Sequence, residues 1–140
     1  MGIELGFSSL QAEGSDRFRS LRRELGITSF GMNLITLLPG ERGRIHAHER
    51  QEEVYAVLEG VLTLLVEDGG EHVLDGSQVV RVGPSTRRQL VNRGPARIVL
   101  LALGSAGEPP GRDGVAWESW DDEGPGRPPQ DVPLPEKLAG

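Results

Sequence analysis

The chain has 140 residues and a formal net charge of −6, because 15 Lys and Arg residues are outweighed by 21 Asp and Glu residues. This length fits one compact domain, and the acidic balance argues against a nucleic-acid partner, which needs a basic face. Without cysteine, the chain has no disulfide, thiolate metal site or cysteine nucleophile.

The start of the sequence lacks the basic and apolar regions of a secretory signal. Its apolar runs are far shorter than the ~20 residues of a membrane-spanning helix. We therefore expect a soluble cytoplasmic protein with no membrane partner.

The first predicted element is a short helix near the N-terminus. Phe18, Leu21 and Leu25 recur at helical spacing, as one apolar face of a helix requires. Ser15 is a suitable N-cap, and Gly26 is a suitable residue to end the helix.

Short apolar segments follow, each bounded by Gly, Pro, Asn or Asp. They comprise residues 32–38, 54–58, 61–66, 72–74, 78–82, 87–91 and 97–103. Regularly spaced short strands with turn residues between them are typical of an all-β sandwich or barrel. No segment between them is long enough for the helix of a βαβ crossover, which disfavours a parallel sheet.

The C-terminal quarter differs in composition, because seven of the ten prolines follow Gly104. We expect an extended segment in which residues 115–120, with two tryptophans, form a docked strand. From Gly124 onward we expect the chain to wrap a neighbour or to stay loose. The sequence thus divides into an N-terminal segment (1–28), a barrel (29–103) and a C-terminal extension (104–140).

One cluster of residue types suggests chemistry: His46, His48 and, shortly after them, Glu53. On a strand, residues two apart face the same side, so the two imidazoles would enter one space. Two imidazoles and a carboxylate suit a divalent transition metal such as Fe, Mn, Ni or Zn. The alternative is a pair of solvent-facing histidines in a polar loop, since charged residues flank them on both sides.

The wider spacing favours the metal site. Gly40, His46, His48, Glu53 and Gly60 are separated by five, one, four and six residues. This spacing resembles the first motif of the cupin family. The resemblance implies a double-stranded β-helix (jelly-roll) barrel, with a short N-terminal helix and an irregular C-terminal tail here. It also implies that His46, His48 and Glu53 ligate a metal. Small cupins often pair edge strands, and with the apolar termini and the two tryptophans this leads us to expect a homodimer.

The stretch from Gly76 to Asn92 resembles the second cupin motif, with departures. Gly83 replaces its Pro and Ser85 replaces its Gly. Arg88 replaces the His that is usually the fourth metal ligand in cupins. A guanidinium stays protonated and offers no lone pair, so Arg88 cannot take over that role.

Three arrangements of Arg88 remain open. It can lie near a three-ligand metal and hold an anionic substrate group, because its planar fork suits carboxylates and phosphates. It can instead pair with Glu53 in the metal's place, or turn outward to solvent. Tyr55 shares strand parity with Glu53, so it either lines the same cavity as a substrate-binding residue or packs in the barrel.

These observations lead to one function and two alternatives. The first is a metal-dependent cupin that acts on a small anionic organic molecule as a dioxygenase, isomerase or lyase. The second is a non-catalytic small-molecule-binding cupin in which Arg88 replaces the fourth ligand. The third is an oligomeric interaction module whose barrel is only a scaffold.

Overall fold

A computed structural model of the chain describes residues 3–12, 16–105 and 113–139. In these ranges the regular secondary structure is mostly β-strand, with one short α-helix, α1 (Leu21–Leu25), and a 3-10 helix at Pro129–Asp131. The strands are β1 (Phe18–Ser20), β2 (Phe30–Leu37), β3 (Ile45–His48), β4 (Glu53–Glu59), β5 (Val61–Val66), β6 (Glu71–Asp75), β7 (Val79–Val82), β8 (Arg88–Val91), β9 (Ile98–Ser105) and β10 (Gly114–Trp117). No helix among the described residues is long and apolar enough to cross a membrane.

The strands form two five-stranded antiparallel sheets, which confirms the all-β prediction. One sheet has the order β1-β2-β9-β4-β7 and the other the order β10-β3-β8-β5-β6. Both sheets contribute alternate side chains to one core, which includes Leu37, Val57, Leu64, Leu90 and Leu100. Every second residue of a strand enters this core because one face of each sheet packs against the other sheet.

The turn between β4 and β5 depends on Gly60. Its φ is +85°, a left-handed conformation that side chains disfavour. A Cβ at this position would also collide with the backbone carbonyl of Arg97. The glycine that ends the first motif is therefore a structural requirement of this turn.

The N-terminal helix begins later than the sequence pattern predicts. Ser20 caps α1 by accepting a hydrogen bond from a backbone N–H, and Gly26 ends it in a left-handed conformation, as expected. Phe18 was wrongly included in the helix, because its backbone pairs with β2 as part of β1. The predicted cap, Ser15, lies outside the described residues.

The C-terminal segment lies on its own barrel. β10 pairs antiparallel with β3, which confirms residues 115–117 of the docked strand predicted over 115–120, whereas residues 118–120 lie beyond the strand. The alternative that this end stays loose is wrong over the described part, and the alternative that it wraps a neighbour stays a prediction. Arg44 donates to the Val132 carbonyl at 2.6 Å, and the Leu138 N–H donates to the Gly40 carbonyl at 2.8 Å. The division at residues 28 and 103 stays a prediction.

Candidate functional site

The two candidate histidines lie on β3 and face the interior between the sheets. Their neighbours Ile45 and Ala47 occupy the opposite face and pack against Trp117 of β10. The alternation predicted from the His-x-His spacing is therefore present. Glu53, at the start of β4 in the other sheet, faces the same space, so both sheets contribute to the site.

Three candidate ligand atoms converge at this point. Glu53 Oε1 lies 3.8 Å from His46 Nε2 and 3.8 Å from His48 Nε2. Ligand atoms of the three residues all lie within 4.8 Å of one another. Ligands about 2.1 Å from a tetrahedral metal are separated by about 3.4 Å, so only small shifts separate this arrangement from coordination.

Hydrogen bonds fix the protonation of both imidazoles. His48 Nδ1 lies 3.0 Å from Asp113 Oδ1, and His46 Nδ1 lies 3.1 Å from the Arg44 carbonyl. Both oxygens only accept, because a carbonyl has no proton and Asp113 is ionised, so each Nδ1 carries the proton. In the neutral imidazole, each Nε2 is then left with a lone pair that faces Glu53.

Asp113 is buried, with 3% of its side chain exposed. Burial alone would raise its pKa, but the N–H groups of Arg50 and Gln51 and the His48 imidazole together hold that pKa below its ordinary value. Asp113 also accepts from the Gln51 side chain at 2.8 Å. The carboxylate is therefore held ionised and orients the His48 ring.

Replacing Asp113 with asparagine is expected to weaken divalent-metal binding by about 10–100-fold. The amide can present its NH₂ group to His48, which favours the tautomer whose proton faces the site. Zinc affinity measured by chelator competition tests this, with Asp121→Asn as the exposed control. Equal affinity in wild type and Asp113→Asn would contradict the positioning role.

Arg88 lies across from His46 on the adjacent strand β8 and is fully buried. Its Nη2 donates to Glu53 Oε1 at 2.6 Å, its Nε to the Tyr55 hydroxyl at 3.1 Å and its Nη1 to the Thr86 carbonyl at 3.0 Å. The alternative in which Arg88 turns outward to solvent is therefore wrong. All its nitrogens are engaged because a buried guanidinium needs acceptors to offset lost hydration.

Tyr55 completes this network. It is buried in β4, and its hydroxyl donates to Glu53 Oε1 at 2.5 Å. Burial and the nearby Glu53 charge raise the pKa of Tyr55 above its ordinary value, so it stays a donor. Burial would raise the pKa of Glu53, but the adjacent His46 and the positive charge of Arg88 together lower that pKa to about 2.

The residues fit a divalent transition metal. Two neutral imidazole nitrogens and an ionised carboxylate are its usual ligands, and three protein ligands leave positions open for a substrate. Glu53 Oε1 already accepts from both Tyr55 and Arg88, so the positive charge of Arg88 is the feature that opposes a second cation. The position of the fourth cupin ligand is occupied by this ion pair.

A cavity of about 320 Å³ opens over the three candidate ligands. Tyr55 and Arg44 also line it, and aliphatic side chains of both sheets form much of its wall. Arg88 does not line it. The roles of Tyr55 and Arg88 as substrate-binding residues stay predictions.

Two residues of the site were not identified from the sequence. Asp113 is 65 positions from His48, and no local pattern links them. Arg44 was interpreted as part of the polar flank of the histidines. Strand parity could have identified it, because it lies two residues before His46 and shares its face.

A family model described as "Cupin domain" matches residues 33–103, about half of the chain. The chain belongs to the cupin family. The match includes all three candidate ligands and Arg88. It agrees with the jelly-roll barrel expected from the two motifs.

Solved structures support this cupin fold. A sugar phosphate isomerase of the cupin superfamily from Silicibacter pomeroyi is 31% identical, with a TM-score of 0.58, and the match covers 63% of this chain and 57% of that one. A putative sugar phosphate isomerase from Acidithiobacillus ferrooxidans is 27% identical, with a TM-score of 0.58 and the same coverage. This cupin therefore spans less than two thirds of both proteins.

A more distant structure covers more of the chain. An uncharacterized double-stranded β-helix protein from Klebsiella pneumoniae matches at 13% identity and a TM-score of 0.64, over 81% of this chain and 97% of that one. It supports the fold alone. No curated protein sequence matches this cupin.

Proposed function

We propose that this cupin binds a divalent transition metal through His46, His48 and Glu53 and acts on a small anionic organic molecule. The convergence of two Nε2 atoms on the Glu53 carboxylate carries the proposal. An acceptor on each Nδ1 directs both lone pairs into the cavity before any metal arrives. This prior orientation is the usual second-sphere design of a metal site.

The chain's own residues would each have a defined part. Arg88 and Tyr55 hold Glu53 ionised and fixed in position through short hydrogen bonds. The aliphatic cavity wall limits water around the open side of the site. A bound divalent metal would supply Lewis-acid or oxygen chemistry there.

Isomerisation of a phosphorylated sugar is the first reaction to test. The two related structures above 25% identity carry that activity in their names, one of them as a putative activity. Because this chain spans only 57% of either protein, sugar phosphate isomerisation is a proposal for this chain. Dioxygenase and lyase reactions are the other classes that the metal site would permit.

The second candidate function is metal-free binding of a small molecule. The ion pair between Arg88 and Glu53, at 2.6 Å, favours it because the guanidinium already neutralises the carboxylate. In this alternative the barrel holds an anion without catalysis. An interaction module with an unused barrel is the remaining possibility raised by the sequence.

Metal-stripped wild-type protein should be dialysed separately against Fe(II), Mn(II), Ni(II) and Zn(II). Bound metal is then measured by mass spectrometry. A stoichiometry near one per chain for at least one metal supports the proposal. Negligible binding of all four would contradict it, and a rise in Tm with a pentose 5-phosphate in metal-free protein would then favour the second candidate.

We also propose a homodimer in the cytoplasm, as the sequence predicts. The N-terminal arm supports the dimer, because Ile3, Leu5 and Phe7 are 89%, 74% and 83% exposed. They occupy alternate positions, a spacing that would place all three on one face of an extended segment. Its backbone is held close to the Leu25 carbonyl, where a Cβ on Gly6 would collide. A second copy of the chain is the occupant that we assign to this face.

Replacing Ile3, Leu5 and Phe7 together with serine is expected to convert the dimer into a monomer. Light scattering coupled to gel filtration measures the mass of each species at micromolar concentration. The same substitution of the exposed strand residues Val73 and Val79 is the control for lost surface hydrophobicity. A wild-type mass of one chain would contradict the dimer.

A further inference from the structure

We propose that Arg44 is the residue that binds the oxyanion group of the ligand in the cavity. The inference rests on the proposed function only in treating this cavity as the ligand site. The ligand class is a small organic molecule that carries a carboxylate or a phosphate. Arg44 thereby takes the anchoring role that the sequence suggested for Arg88.

Arg44 is a cation with unused donors beside the candidate metal ligands. It lines the same cavity as His46, His48 and Glu53. Its Nε donates to the Val132 carbonyl at 2.6 Å. Within the described part of the chain, the Arg44 side chain forms no other hydrogen bond. No carboxylate of the described residues forms an ion pair with it, so both Nη groups are available to a ligand.

The C-terminal segment holds the guanidinium in place. Val132 is 1% exposed, so its carbonyl is a fixed acceptor rather than a mobile one. Binding Nε and leaving both Nη groups suits the two-pronged geometry that carboxylates and phosphates require. The backbone of Arg44 also accepts from His46 Nδ1, which fixes the distance between this cation and the metal site.

The other nearby arginines are engaged elsewhere. Arg88 is fully buried and donates from all three of its nitrogens. Arg22 lines an adjoining cavity of about 260 Å³, which shares His48 and Glu53 with the first, and donates to the carbonyls of Ile27 and Thr28. Among the residues of the larger cavity, Arg44 is thus the cation with free donors.

Charge in the cavity also favours an anion. Glu53 is neutralised by Arg88 at 2.6 Å, which leaves the charge of Arg44 uncompensated. A bound dication would make the cavity more positive, so metal and anion would bind cooperatively. Ile35, Leu37 and Leu90 form an apolar wall, which suits the carbon body of a small organic anion.

The test is isothermal titration of wild type, Arg44→Gln, Arg42→Gln and Arg22→Gln. The probes are a pentose 5-phosphate and butyrate, with the free pentose and 1-butanol as their neutral counterparts. Arg42 is the matched control, because it also binds the C-terminal segment, through the Glu136 carbonyl at 2.8 Å, but does not line this cavity. Metal content is measured on the same samples.

We expect wild type to bind at least one anionic probe and neither neutral counterpart. Arg44→Gln should weaken that binding at least about tenfold, as lost hydrogen bonds to a charged group do. Arg42→Gln and Arg22→Gln should retain it. Which probe binds distinguishes a phosphate from a carboxylate ligand.

Unchanged binding in Arg44→Gln, a loss confined to Arg22→Gln, or no binding of either anion to wild type would overturn the proposal. The metal content separates this failure from that of the proposed function. If the protein binds metal and Arg44→Gln binds the anion as wild type does, only the role of Arg44 is overturned. A protein without metal that still needs Arg44 for anion binding overturns only the metal site.

Discussion

Replacing Arg88 with methionine is expected to lower the free energy of unfolding by about 3–5 kcal/mol, the usual effect of removing one partner of a buried ion pair. Arg88 is fully buried, and 15% of the Glu53 side chain is exposed. Methionine retains most of the side-chain volume but supplies no charge or donor. Of the hydrogen bonds to Glu53 from Arg88 and Tyr55, only the one from the Tyr55 hydroxyl would remain. The Thr86 carbonyl would lose the hydrogen bond from Arg88.

Urea unfolding of wild type and Arg88→Met in metal-free buffer measures this effect. Arg81→Met is the matched control, because Arg81 forms an ion pair with Glu52 at the surface, where the two side chains are 62% and 52% exposed. That pair should contribute at most about 1 kcal/mol. Equal losses in both variants would show that Arg88 has no special role in the barrel.

Replacing His46 with alanine is expected to weaken divalent-metal binding by at least about 100-fold. The variant removes one of three protein ligands and leaves His48 Nε2 and Glu53 as a two-ligand site. Two ligands hold a transition metal far less well than three, because each lost bond is replaced by exchangeable water. Chelator competition with Zn(II) gives the affinity of each protein.

His72→Ala is the matched control for this variant. His72 is exposed on β6, apart from the site, so its loss removes the same functional group without touching the cavity. Circular dichroism of both variants checks that the barrel is retained. The three-ligand site would be contradicted if His46→Ala bound zinc as wild type does, or if His72→Ala lost binding equally.

Much of the barrel was predictable because local signals agree with the tertiary structure. Turn residues such as Gly60 separate short apolar segments. Each of these segments is a strand in the structure, and its ends differ from the predicted ends by at most two residues. The facing of His46 and His48 follows from strand parity, which does not depend on distant contacts. The spacing from Glu53 to Gly60 reflects one strand and its turn.

Features that depend on long-range contacts could not be predicted in the same way. Phe18 fits a helix by periodicity but belongs to β1, since pairing with β2 overrides local preference. The direction of Arg88 is set by Glu53 and Tyr55 on the other sheet. Asp113 reaches His48 because β10 pairs with β3, and proline content gives no sign of that pairing.

The most direct test of the metal site is a crystal structure of wild type grown with Mn(II) or Zn(II), with anomalous diffraction recorded at the metal's absorption edge. The account predicts one strong anomalous peak per chain, within coordination distance of His46 Nε2, His48 Nε2 and a Glu53 oxygen. A map without that peak at saturating metal, with Arg88 still bonded to Glu53, would contradict it.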